Sequence, residues 1–165
     1  MRNNRKYDPD IHKRRSIRLE GYDYSQPGAY FVTVCVQNRL PLFGAIVANG
    51  MILNLAGKMV DRWWNELKHN FRNIELDQYV VMPDHFHGII QIQGAHAGAP
   101  LREIVRWFKT MTTNEYIRNA KENGWIAFDK RLWQRNYYEH IIRDEESLRE
   151  IREYIVGNPA NWTHS

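Results

Sequence analysis

Apolar positions along the chain come in short runs whose period changes, and the changes mark the elements. Ala29–Gln37 (AYFVTVCVQ) is β-branched and aromatic and reads as a strand. An irregular stretch follows, with a short hairpin from Leu42–Val47 to Met51–Leu53 that turns at Asn49-Gly50. From Ala56 to Lys68 the period becomes helical. Met59, Val60, Trp63, Trp64 and Leu67 fall on one face, and Asn54 is placed to cap the first turn. Ile74–Met82 and His85–Gln93 read as strands on either side of Pro83, and GAHAGAP as a loop. Leu101–Asn123 is a long helix opened near Pro100 and closed at Gly124. Leu132–Ile142 predicts a further strand. Glu145–Gly157 predicts a last helix, stopped by Gly157 and Pro159.

The order is strand, helix, strand, strand, helix, strand, helix. Its first six members match the split β-α-β arrangement of ferredoxin-like folds. The expectation is an α+β domain: an antiparallel sheet with helices packed on one face, the other face free for a ligand, and a separate C-terminal helix. Many functions share this fold, so the functional argument rests on particular residues.

The 165 residues suggest one domain. At 43% apolar and 13% aromatic residues, the chain reads as globular rather than disordered. One cysteine excludes an internal disulfide framework and a CxxC zinc site, and Cys35 within FVTVCV reads as a small buried hydrophobe. No stretch approaches the ~20 apolar residues of a membrane span. The N-terminus lacks the apolar segment of a secretory signal, so the expected location is the cytoplasm. A net charge of +4 is a modest pointer to nucleic acid. Its distribution says more, because Arg2, Arg5, Lys6, Lys13, Arg14, Arg15 and Arg18 crowd the first eighteen residues. Residues 1–24 read as a basic arm, either simply solvated or bound to a polyanion, ahead of a single domain at 25–165.

The chemistry-bearing segment is VVMPDHFHGIIQI. His85 and His87 lie two apart in a predicted strand, so both imidazoles share one face while Phe86 points to the other. Two adjacent imidazoles are half of a divalent-cation site; two exposed strand histidines are the alternative. The flanking apolar runs favour a central strand. On the last helix Leu148, Ile151 and Ile155 form an apolar stripe, with Tyr154 at its edge. Asn158 shares the face of Tyr154 if the last turn stays helical. A packing tyrosine and a helix-capping asparagine are the plainer readings.

Four segments together are more specific: RRSIRLEGYDYSQPGAYFVTVCVQNR, VVMPDHFHGIIQI, LWQRNYYEHIIRDEE and LREIREYIVGNPANW. In order and spacing the chain resembles the single-tyrosine HUH transposases, in particular the REP-associated tyrosine transposases. The resemblance runs from about Arg14 to Trp162. It implies that His85 and His87 are metal ligands, that Tyr154 is the nucleophile and that Asn158 is a third ligand. It also implies that Trp133, Gln134 and His140 belong to a signature strand. Asp84 stands where asparagine is often expected, and should face away from the metal.

The implied activity is metal-dependent cutting and rejoining of single-stranded DNA through a 5′-phosphotyrosine, on a hairpin with a short single-stranded foot. A phenol titrates near ~10 in water, so such a tyrosine needs an activated phosphodiester. Mg²⁺ or Mn²⁺ on two neutral imidazoles and a carboxamide would keep most of its charge for that task. Arg14, Arg15 and Arg18 of the arm, and Arg102, Arg106 and Lys109 at helical spacing, are candidate DNA contacts. Tyr22, Tyr24, Tyr137 and Tyr138 are candidate stacking platforms. The expected protein is a monomer or a homodimer. The alternative is a non-catalytic descendant that bridges DNA or represses from it.

Overall fold

The computed structural model describes residues 28–93 and 98–162. The predicted arm, with Arg14, Arg15, Arg18, Tyr22 and Tyr24, lies outside the described residues. Within them the chain forms β1 (Gly28–Cys35), β2 (Gly44–Val47), β3 (Gly50–Leu53), α1 (Leu55–Asn70), β4 (Ile74–Val81), β5 (His85–Ile92), α2 (Leu101–Glu122), β6 (Tyr138–Ile142) and α3 (Glu145–Gly157). The main sheet has the order β4-β5-β1-β6, and every neighbouring pair is antiparallel. Setting aside the β2–β3 hairpin, this is the expected ferredoxin-like arrangement. No helix among the described residues is long and apolar enough to cross a membrane.

Local signals account for most boundaries. Asn54 caps α1 by accepting from the Gly57 amide at 2.9 Å, a bond worth about 1 kcal/mol. Met59, Val60, Trp64 and Leu67 are buried as their spacing predicts, while Trp63 is only half-buried. Asp144 caps α3 through the Ser147 amide at 2.7 Å. Gly124 follows α2 with φ +70°, a conformation that favours glycine.

Two expectations need correction. The hairpin turns at Ala48 and Asn49, one residue early, with φ of 50° and 63°. Both central positions are left-handed, as a two-residue hairpin turn requires, and Gly50 pairs with Val47. The strand predicted over Leu132–Ile142 is regular only from Tyr138. Trp133 makes an isolated bridge to Val36, and the chain then bows away. Trp133 is held by its indole N–H on Thr112 Oγ1 at 2.8 Å, and Gln134 by its amide on the Cys35 carbonyl at 2.8 Å. Trp133 therefore ties the 132–134 segment to α2, and Gln134 ties it to the end of β1.

α1 and α2 cover one face of the sheet, over a core that includes Tyr30, Val32, Phe86 and Ile90. Gly88 permits the closest contact there, since a Cβ would stand 2.6 Å from the Trp64 ring. The opposite face is not wholly free. Phe31, Ile89 and Ile142 form a second apolar patch, and α3 docks on it with Ile151 and Ile155 buried. Tyr138 and Tyr154 pack against that patch. Apolar side chains on this half of the face would otherwise stay in water, at roughly 25 cal/mol per Å².

Candidate active site

β1 and β5 pair in a register that sets Thr33 opposite His87 and Cys35 opposite His85. Opposed side chains in a sheet share a face. The histidines therefore stand beside Thr33 and Cys35 on the α3 side, and Phe86 beside Trp64 on the other, as the alternation predicts. Both imidazoles are buried, at 6% and 5% exposure.

Their Nε2 atoms face each other at 3.0 Å. Two unprotonated nitrogens at that distance oppose their lone pairs, so a proton or a cation must lie between them. His85 Nδ1 donates to Asp84 Oδ1 at 2.7 Å, which leaves the lone pair of a neutral ring on Nε2. His87 Nδ1 lies 2.7 Å from Thr33 Oγ1. Each ring is thus oriented from behind by an oxygen, the arrangement that fixes histidine ligands in metal sites. Burial, then the neighbouring His85 and Arg39, holds the His87 pKa well below its usual range, so this ring stays neutral.

Asp84 faces away from the Nε2 pair, as expected, but its carboxylate anchors His85. Arg39 donates to the same carboxylate from Nε at 3.0 Å and reaches Cys35 Sγ from Nη1 at 3.0 Å. Asn38 and Arg39 both adopt left-handed φ, 60° and 54°, which bends the chain after β1. Burial works to raise the Asp84 pKa, but the hydrogen bond and charge of His85, together with Arg39, outweigh it and hold the group low. Burial also raises the Cys35 thiol, against the pull of Arg39. The roles of Thr33 and Arg39 have no local signal in the sequence. Only the alternation of Phe31, Thr33 and Cys35 along β1 hints that Thr33 shares a face with the patch.

α3 and the turn after it flank the pair. The Tyr154 ring lies 5.5 Å from that of His87 and 6.2 Å from Phe31, and the Trp162 indole stacks on His85 at 5.8 Å. Asn158 stands between Tyr154 and Trp162 in the chain. It occupies the C-cap position but keeps helical angles, φ −59° and ψ −44°, so it stays in phase with Tyr154 one turn earlier. Its Oδ1 is buried and accepts no hydrogen bond. A buried carboxamide oxygen without a donor is costly, by about 1–3 kcal/mol, unless something else meets it.

The spacing of the two imidazoles fits a divalent cation. Adjacent ligands at about 2.1 Å in an octahedral shell lie about 3.0 Å apart, which is the spacing of the Nε2 atoms. The orphaned Asn158 oxygen is a hard donor of the kind Mg²⁺ and Mn²⁺ take. Among the described residues no cluster of three His, Cys, Asp or Glu side chains forms.

The remaining predicted residues are dispersed. Arg102 and Arg106 are exposed on α2, on the other side of the sheet. Lys109 is spent on structure, donating from Nζ to the carbonyls of Gln134 at 2.8 Å and Arg135 at 3.1 Å. Burial, and to a lesser degree Arg131, lowers its pKa. Tyr138 and His140 pair with Thr33 and Phe31 and so share the histidine face. Tyr137 packs against the core on the other face.

The family described as transposase IS200-like matches residues 30–158. An uncharacterized protein of Haemophilus influenzae is 41% identical, over 95% of this chain and 94% of its own. A second protein of that organism, named among the REP-associated tyrosine transposases, is 23% identical over 84% of this chain and 73% of its own. A solved REP-associated tyrosine transposase bound to a REP hairpin shares the fold, with a TM-score of 0.60 and 23% identity over 87% of this chain and 72% of that one.

Proposed function

The chain belongs to the IS200-like transposase family, and on that premise we propose that it is a metal-dependent single-stranded DNA strand-transferase with Tyr154 as nucleophile. The observation that carries this reading is the pair of imidazoles whose Nε2 atoms face each other at 3.0 Å, with the Tyr154 ring against His87 and the Trp162 indole against His85.

His85, His87 and Asn158 would hold Mg²⁺ or Mn²⁺, which when bound supplies positive charge to the oxygens of the scissile phosphate. Asp84 and Thr33 keep the two imidazoles turned so that Nε2 faces the site. The Tyr154 oxygen attacks phosphorus in line, its new bond forming as the bond to the 3′-oxygen breaks. The phenol gives up a proton, and the departing 3′-oxygen takes one up. The product is a 5′-phosphotyrosine and a free 3′-OH. A 3′-OH of another strand can reverse the exchange, so no nucleotide hydrolysis is needed. In keeping with that, the sequence has no GxxxxGK[ST] loop.

The substrate proposed is a DNA hairpin with a short single-stranded foot, as the solved relative's hairpin suggests. Arg14, Arg15 and Arg18 of the arm and Arg102 and Arg106 of α2 would contact phosphates in the cytoplasm, with the protein a monomer or a homodimer. The test is incubation with candidate hairpins and Mg²⁺ or Mn²⁺, followed by denaturing electrophoresis. A metal-dependent covalent adduct that maps to Tyr154 is expected. Tight hairpin binding without any adduct would instead identify a non-catalytic DNA-binding protein.

A further inference from the structure

A groove of about 1010 Å³ runs between the outer side of α2 and the 128–139 segment. Its α2 wall carries Arg102 and Arg106, and its opposite wall Lys130, Arg131 and Arg135. Leu132 and Trp133 help to close it below. Lys109 spans the two walls through its bonds to the Gln134 and Arg135 carbonyls, and so sets the spacing of the groove rather than offering a free charge.

The second wall was not foreseen from sequence, where only the α2 cations repeat at a helical interval. Among the described residues, no ion pair neutralises Arg102, Arg106, Lys130, Arg131 or Arg135. Among the described residues, Glu139 is the only carboxylate lining the groove. Five cations crowded in this way repel one another, and the folded state gains when an anion enters. A single small anion would engage one wall. A chain of phosphates can engage both, and arginine suits it because the guanidinium fork binds phosphate oxygens in pairs.

The groove lies back to back with the histidines. β6 is the end strand of the main sheet. Its Tyr138 and His140 share the face of His87, whereas Glu139 between them lines the groove. The β6 edge is therefore one route by which a DNA whose scissile phosphate meets Tyr154 could reach the groove.

We propose that this groove is a second nucleic-acid site, which holds the phosphodiester backbone of the DNA flanking the cleavage point. The inference rests on the strand-transferase reading for the identity of its ligand. Its ligand is either the duplex stem or a flanking single strand, since both present the same backbone charges.

The test compares wild type with the triple variant Lys130→Gln, Arg131→Gln, Arg135→Gln, none of which touches the histidine face. Three labelled probes are titrated at several salt concentrations: a hairpin with a single-stranded foot, the stem alone and the foot alone. The variant should bind the full hairpin more weakly. Its slope of log Kd against log salt should be shallower by about 0.9 per lost contact to duplex, or about 0.7 per contact to single strand. A loss confined to the stem probe assigns the groove to duplex, and one confined to the foot probe assigns it to single strand. Adduct yield at saturating DNA should be unchanged. If the triple variant melts early, Arg135→Gln alone, at an exposed position, should still lower the slope by about one contact. Unchanged affinity and slope on all three probes, with normal adduct formation, overturns the groove and leaves the catalytic reading standing. Groove-dependent binding by a protein that forms no adduct does the reverse.

Discussion

Arg152 of α3 holds Asp77 of β4 in a two-pronged ion pair, Nε to Oδ1 at 2.9 Å and Nη2 to Oδ2 at 2.6 Å. Gln91 of β5 donates to the same carboxylate at 2.7 Å. Arg152 is two residues before Tyr154, so the pair fixes how α3 is rotated on the sheet. β4 shifts register between Leu76 and Tyr79, which is where Asp77 sits.

Arg152→Ala should therefore slow adduct formation more than it weakens DNA binding. The stability cost should be modest, about 0.5–1 kcal/mol, because the arginine is partly in water. The swap Arg152→Asp with Asp77→Arg should recover part of the rate. The hydrogen bond from Arg152, against the opposing effect of burial, holds the Asp77 pKa below its ordinary value of 3.8. The pair thus contributes fully above that ordinary value and is lost as pH falls through the depressed one. Adduct kinetics near neutral pH should show no step from it, and acid melting curves of Arg152→Ala and wild type should converge.

Tyr154→Phe removes only the phenol oxygen. Hairpin affinity should be preserved and the covalent adduct should fall to the detection limit. An unaltered yield would move the nucleophile to Tyr138, which shares the histidine face, and not to Tyr137, which does not.

His87 is held neutral by burial first, and then by His85 and Arg39 beside it, below its ordinary 6.5. In the unfolded chain the ring takes up a proton near that value. The metal-free fold should therefore be most stable above about pH 6.5 and lose stability as pH falls towards the depressed native value. His87→Gln should flatten melting temperature against pH in this window. The same variant, like His85→Ala, should abolish metal-dependent cleavage. A wild type that binds no Mn²⁺ in calorimetry, together with unfolding of both variants, would make the pair structural.

Asp84 acts on the site through His85. Asp84→Ala should weaken Mn²⁺ binding by about 10–100-fold, the usual loss when the partner behind a histidine ligand is removed. Asp84→Asn keeps an oxygen acceptor for Nδ1 and should lose less. Equal affinities in all three proteins, measured by electron paramagnetic resonance without DNA, would show that the carboxylate does not orient the ligand.

Local physics made much of this protein legible in its sequence. The α1 and α3 stripes, the Asn54 cap and the break at Pro83 depend on residues within a few positions of one another. The shared face of His85 and His87 follows from strand periodicity alone. The same pattern could not say where pairing stops. Leu132–Ile142 is strand-like throughout, yet only its last five residues pair regularly, because Trp133 is committed to Thr112 and Lys109 holds the carbonyls of Gln134 and Arg135. Nor could it assemble the support of the site. Thr33, Arg39 and Asp84 come together through the β1–β5 register and a left-handed bend, and neither leaves a compositional mark. The stripe of α3 was visible, but its docking side was set by a patch drawn from three separate strands: Phe31, Ile89 and Ile142. Periodicity determines which residues share a face; only packing decides which face meets which, because the apolar area that selects the partner is assembled from distant parts of the chain.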